Sequence, residues 1–207
     1  MDDISENVFT NNKLKYDSKE RFISYWHQLN EIFKLKPSNV LEIGIGYGLT
    51  SAYLKNSGIN VVTLDIKKEF NPDVHGSVLK IPFSNDSFDV VACFEVLEHL
   101  PFQEFNNALK ELKRVSNSYV ILSLPDFNQV FRVLIHLPRI GVIKKLIPVP
   151  FIKAPYRGAI SHHWEIGKKG YPLNKIIKNI EEQGLKVCNT YRLFDHPRHR
   201  FFLLKKM

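Results

Sequence analysis

Three glycines at alternate positions, Gly44, Gly46 and Gly48, close the apolar run Val40-Leu41-Glu42-Ile43 and lead at once into a helical pattern from Leu49. A strand that ends in glycines and enters a helix seats nucleotide-like ligands, because glycine tolerates positive φ and lets the backbone approach the ligand closely. Spacing then separates the candidates. A dinucleotide turn needs G-x-G-x-x-G with pyrophosphate at the helix N-terminus, and Leu49 occupies the place of its third glycine. A phosphate loop ending in Gly-Lys-Ser/Thr is excluded, since no such run follows. Glu42 stands two residues before the first glycine, where a carboxylate repels a diphosphate and attracts a cationic ligand.

S-adenosylmethionine (AdoMet) carries an ammonium and a sulfonium and no phosphate, so Glu42 beside the glycines favours it. Asp65 ends the next β-type run 17 residues after Gly48, where a carboxylate can accept hydrogen bonds from both ribose hydroxyls. The alternative is a strand-end Asp that caps the following turn. Methyl transfer from a sulfonium asks the protein mainly to align the nucleophile, exclude water and, for a hydroxyl acceptor, remove a proton. Two further groups offer that chemistry. Glu95, Glu98 and His99 follow the run Phe88–Phe94, and their spacing places them on one helical face. His162, His163, Trp164 and Glu165 precede a helix and could form an acceptor pocket with a base and an aromatic wall, or a solvated turn over a buried Trp164. His163 or His162 is the expected general base or acceptor-positioning group, with His99 as the third candidate.

The elements that must hold these residues alternate along the chain. Phe22, Tyr25, Trp26, Leu29, Ile32 and Phe33 recur at helical spacing from Asp17, with Asp17 or Ser18 as cap and Pro37 as stop. Strands are predicted at 39–43, 61–66, 74–79, 88–94 and 119–124, with helices at 49–56 and 103–115. Residues 127–152 are apolar but broken by prolines and basic residues, and read as one or two short amphipathic helices. A helix over 172–183 and strands over 185–193 and 199–205 close the chain. Strands alternating with helices give an α/β fold, a mostly parallel sheet covered on both faces.

The stretches Lys80-Ile81-Pro82-Phe83, Ser87-Phe88-Asp89-Val90-Val91 and Glu95-Val96-Leu97-Glu98-His99-Leu100-Pro101 resemble the class I AdoMet-dependent methyltransferases, over about residues 38–124. The resemblance implies a Rossmann-like sheet of seven strands with the last antiparallel, and the cofactor across the C-terminal strand ends. It implies that Gly44, Gly46 and Gly48 contact the methionine part, that Glu42 organises the turn or reaches the amino group, and that Asp65 holds the ribose. Ile66, Ser77, Val78 and Phe94 fall on the remaining cofactor positions. Ser77 stands where the family usually has Asp, so its adenine contact is the weaker one. In some quinone-type relatives a run like Glu95–His99 holds a divalent metal; the expectation here is that Glu98 and His99 organise the helix and that no metal is bound.

The chain of 207 residues carries a formal charge of +8, from 29 Lys and Arg against 21 Asp and Glu. It reads as one methyltransferase domain over 1–207, divided into an N-terminal helix (17–36), a cofactor core (38–124), a lid or acceptor insertion (126–170) and a C-terminal part (171–207). Cys93 and Cys188 each sit in an apolar stretch and are expected to be buried free thiols in a reducing compartment. Asp2, Asp3 and Glu6 argue against a secretory or mitochondrial leader, and no run is long enough to span a membrane, so the expected location is cytoplasmic. The expected acceptor is a small molecule, through O-methylation of a sugar, quinone or lipid-linked metabolite. An RNA or protein acceptor is the alternative that the charge suggests. Against it, Cys93-Phe94-Glu95-Val96 replaces the Asn/Asp-Pro-Pro-Tyr/Phe motif expected where a planar amino nitrogen is methylated. A non-catalytic AdoMet-binding partner protein is the third reading, and the intact glycine turn argues against it. The basic, apolar stretch 127–152 is either a lid or a surface for peripheral membrane contact.

Overall fold

The structure is a computed structural model of the chain and describes residues 17–139, 141–149 and 161–207. The expectations placed on residues 1–16 and on residues 140 and 150–160 of the insertion lie outside the described residues.

Helix α1 spans Lys19–Leu35, and the Ser18 hydroxyl caps it by accepting the Arg21 amide at 3.4 Å. Lys36 takes the left-handed conformation that ends the helix, just before Pro37. Tyr25 and Ile32 are buried and Leu29 packs beside them, whereas Phe22 and Trp26, on the other edge of the predicted stripe, remain exposed. The helix is rolled so that only one edge of its apolar face meets the sheet.

Strand β1 is Asn39–Ile43, helix α2 Leu49–Asn56 and strand β2 Asn60–Asp65. Strand β3 is only Val74–His75, shorter than the predicted 74–79, because Ser77 and Lys80 pair across a turn that ends it. Strand β4 is Phe88–Phe94, helix α3 Phe105–Val115 and strand β5 Ser116–Pro125. Strands β6 (Val130–Leu137) and β7 (Gly141–Pro148), helix α4 (Leu173–Glu182) and strands β8 (Leu185–Arg192) and β9 (His199–Lys206) follow.

The main sheet has seven strands in the order β3-β2-β1-β4-β5-β9-β8. Strands β1 to β5 run parallel, and β9 is antiparallel to both of its neighbours, β5 and β8. Alternation along β4 supplies two cores. Val91 and Cys93 pack with α3 and α4 on one face, while Val90, Ala92 and Phe94 pack with α1 and α2 on the other. The glycine turn and the residues after β4 therefore meet at one edge of the sheet, the C-terminal ends of β1 and β4.

Two expectations fail. Residues 130–148 form an antiparallel hairpin and not amphipathic helices. The β-branched residues Val130, Val133, Ile135, Val142, Ile143 and Ile147 favour strand, and Arg139 and Gly141 take the positive φ values, 67° and 106°, that a tight loop after Pro138 needs. Cys188 is exposed, not buried, at a register shift between Val187 and Asn189 of the edge strand β8. Cys93 is buried, and both thiols are free.

Candidate active site

All three glycines of the turn adopt positive φ: 78° at Gly44, 52° at Gly46 and 76° at Gly48. Gly44 also permits a close approach, since a Cβ there would lie 2.1 Å from Val96 Cγ2. The segment after β4 is thus laid directly on the turn. The Gly44 amide donates to the Leu64 carbonyl at 2.9 Å, which ties the turn to the end of β2.

Asp65, nearly buried, links the same two elements through its side chain. Its Oδ2 accepts the Ile45 amide at 3.0 Å and its Oδ1 the Lys67 amide at 2.8 Å. The turn-capping reading of Asp65 is therefore correct as a structural statement. Each carboxylate oxygen keeps further acceptor capacity for a ribose hydroxyl.

Glu42 is buried on β1 with Oε2 lacking any hydrogen-bond partner. Burial pushes its carboxyl up to about 8, against a smaller downward pull from Ser51. A buried acceptor without a partner beside a glycine turn fits a cationic ligand group. The predicted adenine side is less open. Ser77 spends its hydroxyl on the Leu79 amide at 3.2 Å, Val78 is buried, and Ile66 is exposed beyond the end of β2. Phe94 is buried at the end of β4, tilted against Phe201 with 5.9 Å between ring centres.

The run after β4 is not an α-helix. Only Leu97–His99 form a short 3-10 turn, and Glu95 stands before it at a left-handed φ of 53°. Glu95, Glu98 and His99 therefore do not share a helical face, as the spacing predicts. Glu95 turns towards His199, 3.5 Å from its Nε2, and His199 Nδ1 meets the Ser24 hydroxyl at 2.9 Å. Burial pushes the Glu95 carboxyl up and the His199 ring down to about 3, so this contact is not an ion pair between charged groups.

Glu98 is fully buried and joins instead the distant segment around His162. The His163 amide donates to the Glu98 carbonyl at 2.9 Å, the His99 and His162 rings stand edge to face at 4.7 Å, and His162 Nε2 lies 3.9 Å from Glu98 Oε1. Glu165, also buried, accepts from His162 Nδ1 at 2.6 Å and is ion-paired with Lys168. The structure thus brings His99 and His162 together and leaves the His163 side chain exposed. Trp164 is no pocket wall. It is buried against Phe102 and Phe105 and donates Nε1–H to the Leu100 carbonyl at 3.2 Å. The spacing of three from His162 to Glu165 to Lys168 could have suggested their pairing; nothing local joins them to Glu98.

Residues 41–122 match the family model described as methyltransferase domain. An uncharacterised protein of Methanocaldococcus jannaschii is 32% identical over 83 residues, 37% of this chain and 35% of that protein. An uncharacterised methyltransferase of Staphylococcus carnosus is 30% identical over 103 residues, 45% of this chain and 49% of that protein. The chain therefore spans between a third and a half of the length of these curated relatives. The crystal structure of Burkholderia thailandensis 1,6-didemethyltoxoflavin-N1-methyltransferase, with bound 1,6-didemethyltoxoflavin and S-adenosylhomocysteine, superposes with a TM-score of 0.63. The superposition covers 99% of this chain and 86% of that one at 11% identity, a likeness of fold.

Proposed function

We propose that this chain is a class I AdoMet-dependent methyltransferase that transfers the methyl group of AdoMet to a small-molecule acceptor, a reading supported by the methyltransferase-domain match over 41–122 and by the likeness of fold. The observation that carries the reading is the buried, unpartnered Glu42 oxygen beside the three positive-φ glycines, with Asp65 across the turn. Gly44, Gly46 and Gly48 admit the methionine part, Glu42 takes its ammonium and Asp65 the ribose. Ile66, Val78 and Phe94 surround the base, and Ser77 adds at most a weak adenine contact.

The acceptor reaches the methyl group over the segment 95–99, which Val96 lays on Gly44. The cluster of Glu98, His99 and His162 offers the polar groups that would orient and deprotonate a hydroxyl, so O-methylation is the favoured chemistry. His163, exposed, is the less supported candidate. The β6–β7 hairpin favours an apolar or lipid-linked acceptor over a bare sugar. Its cross-strand pairs Phe131–Ile147 and Ile135–Ile143 place exposed apolar side chains on one face, either side of the pair Val133–Lys145, while Lys144 is held to Asp195 on the body of the protein. Liposome flotation separates a hairpin that covers a dissolved acceptor from one that meets a membrane.

Calorimetry with S-adenosylhomocysteine tests the cofactor reading and carries a proton signature. A carboxyl raised to about 8 in the folded protein is protonated at pH 7, whereas in the unfolded chain it ionises near 4.5. It therefore contributes a stability penalty that is absent below about pH 4.5 and grows as pH rises towards 8. A ligand ammonium favours the ionised form, so binding at pH 7 should release close to one proton, measured from the heats in two buffers of different ionisation enthalpy. Glu42→Gln should abolish the release. Absence of binding would sink the cofactor reading, and binding without proton release would sink the role of Glu42.

A further inference from the structure

We propose that Glu98, His99 and His162 form a binding site for one divalent transition-metal cation, with Glu165 behind His162 as its supporting carboxylate. One ligand atom from each of the three residues lies within 4.8 Å of the others, the sole such grouping of His, Cys, Asp and Glu among the described residues. Metal–ligand bonds of about 2.0–2.2 Å require atoms that converge on one point from this range, with a small contraction.

Both imidazoles are already in the required tautomer. A carbonyl oxygen can only accept, so the contact of His99 Nδ1 with the Ser161 carbonyl at 3.1 Å places a proton on Nδ1 and a lone pair on Nε2. Glu165, paired with Lys168, accepts from His162 Nδ1 at 2.6 Å and so leaves the lone pair of that ring on Nε2. A carboxylate behind a histidine that presents its far nitrogen is the usual outer support of a metal ligand. Glu98 supplies the independent observation: it is fully buried, and neither of its carboxylate oxygens has a hydrogen-bond partner. Such a group is costly unless a cation compensates it.

Glu95, which the sequence spacing would have put in this set, contacts His199 at 3.5 Å and adds a second buried carboxyl whose charge acts on Glu98, while His162 arrives from a segment 63 residues after His99 to complete the three ligands. Two imidazoles and one carboxylate suit zinc, manganese(II) or iron(II) better than magnesium or calcium. As a role in the reaction this rests on the methyltransferase reading. A cation there would bind the acceptor oxygen and lower its proton affinity, so the cluster would orient the hydroxyl and favour its deprotonation through the bound cation.

The test is zinc calorimetry on the tag-free, metal-stripped full chain, with cobalt(II) absorption as a spectroscopic readout and S-adenosylhomocysteine binding measured on the same samples. One zinc per chain is expected, weakened at least 100-fold by His162→Ala or His99→Ala and about 10- to 100-fold by Glu165→Gln. Circular dichroism confirms that each variant is folded, and Glu98→Gln, near-isosteric, gives a second route should an alanine variant misfold. No stoichiometric zinc, or zinc held as tightly by folded His162→Ala, overturns the site. If S-adenosylhomocysteine binds while zinc does not, the cation inference falls alone. If zinc binds while S-adenosylhomocysteine does not, the metal site stands and the methyltransferase reading falls.

Discussion

Replacing Asp65 with Ala is expected to weaken S-adenosylhomocysteine binding by two to three orders of magnitude. The carboxylate sits where two functions meet. Its oxygens already accept the Ile45 and Lys67 amides, so they are fixed in direction before any ligand arrives. Ribose hydroxyls that donate to such an anion form charge-assisted bonds of about 1.5–3 kcal/mol each, and two of them account for the predicted loss. The alanine variant also frees the two amides and loosens the glycine turn. Asp65→Asn separates the effects: it keeps an acceptor oxygen and the side-chain shape but removes the charge. Its affinity should fall between wild type and Ala. Isothermal titration of the three proteins decides the matter, and equal affinities for wild type and Ala would rule out a ribose contact at Asp65.

The second large effect concerns stability. Trp164→Ala should cost about 3–5 kcal/mol, the range for deleting a large buried aromatic side chain. Trp164 is only 1% exposed, packs within 5.1 Å centre to centre of both Phe102 and Phe105, and donates to Leu100. Against a typical total of about 5–15 kcal/mol, that is about a fifth or more of the stability of the fold. The loss has a functional consequence, because the strands of contact on either side of Trp164 hold His162 and Glu165 in place. The Ile166 amide donates to the Pro125 carbonyl at 3.0 Å and the Phe127 amide to the Ile166 carbonyl at 2.8 Å, which fastens the segment to the end of β5. His163→Ala, one residue away but exposed, should change stability by less than about 0.5 kcal/mol. Urea unfolding of both variants measures the contrast. A Trp164→Ala cost under 1 kcal/mol would show that the side chain is not the anchor described here.

The strands and helices of the core were legible because their signals are local. β1, α2 and β4 begin and end at the predicted residues, since apolar runs bounded by glycines and polar turns leave little freedom of register. The glycine turn was legible for the same reason, as positive φ at alternate positions is written in residue type. The hairpin was missed because apolar residues interrupted by prolines and lysines satisfy a broken helix as well as two short strands. Only pairing between β6 and β7, which depends on the loop after Pro138, distinguishes them. The burial of Trp164 was left open by the sequence, because a tryptophan beside two histidines is compatible with either a pocket wall or an anchor.

The polar residues of the candidate site divide in the same way. Sequence alone determined the class of fold, from elements along the whole chain, and the position of the turn with the carboxylates Glu42 and Asp65, which lie within 24 consecutive residues. Only the tertiary structure decided that Glu95 faces His199 while Glu98 and His99 face His162. A left-handed backbone at Glu95 breaks the helical spacing, and the partners it separates come from residues 63 to 104 positions away. Periodicity constrains neighbours three or four residues apart; which distant side chain completes a buried polar cluster is set by how the strand ends and loops pack.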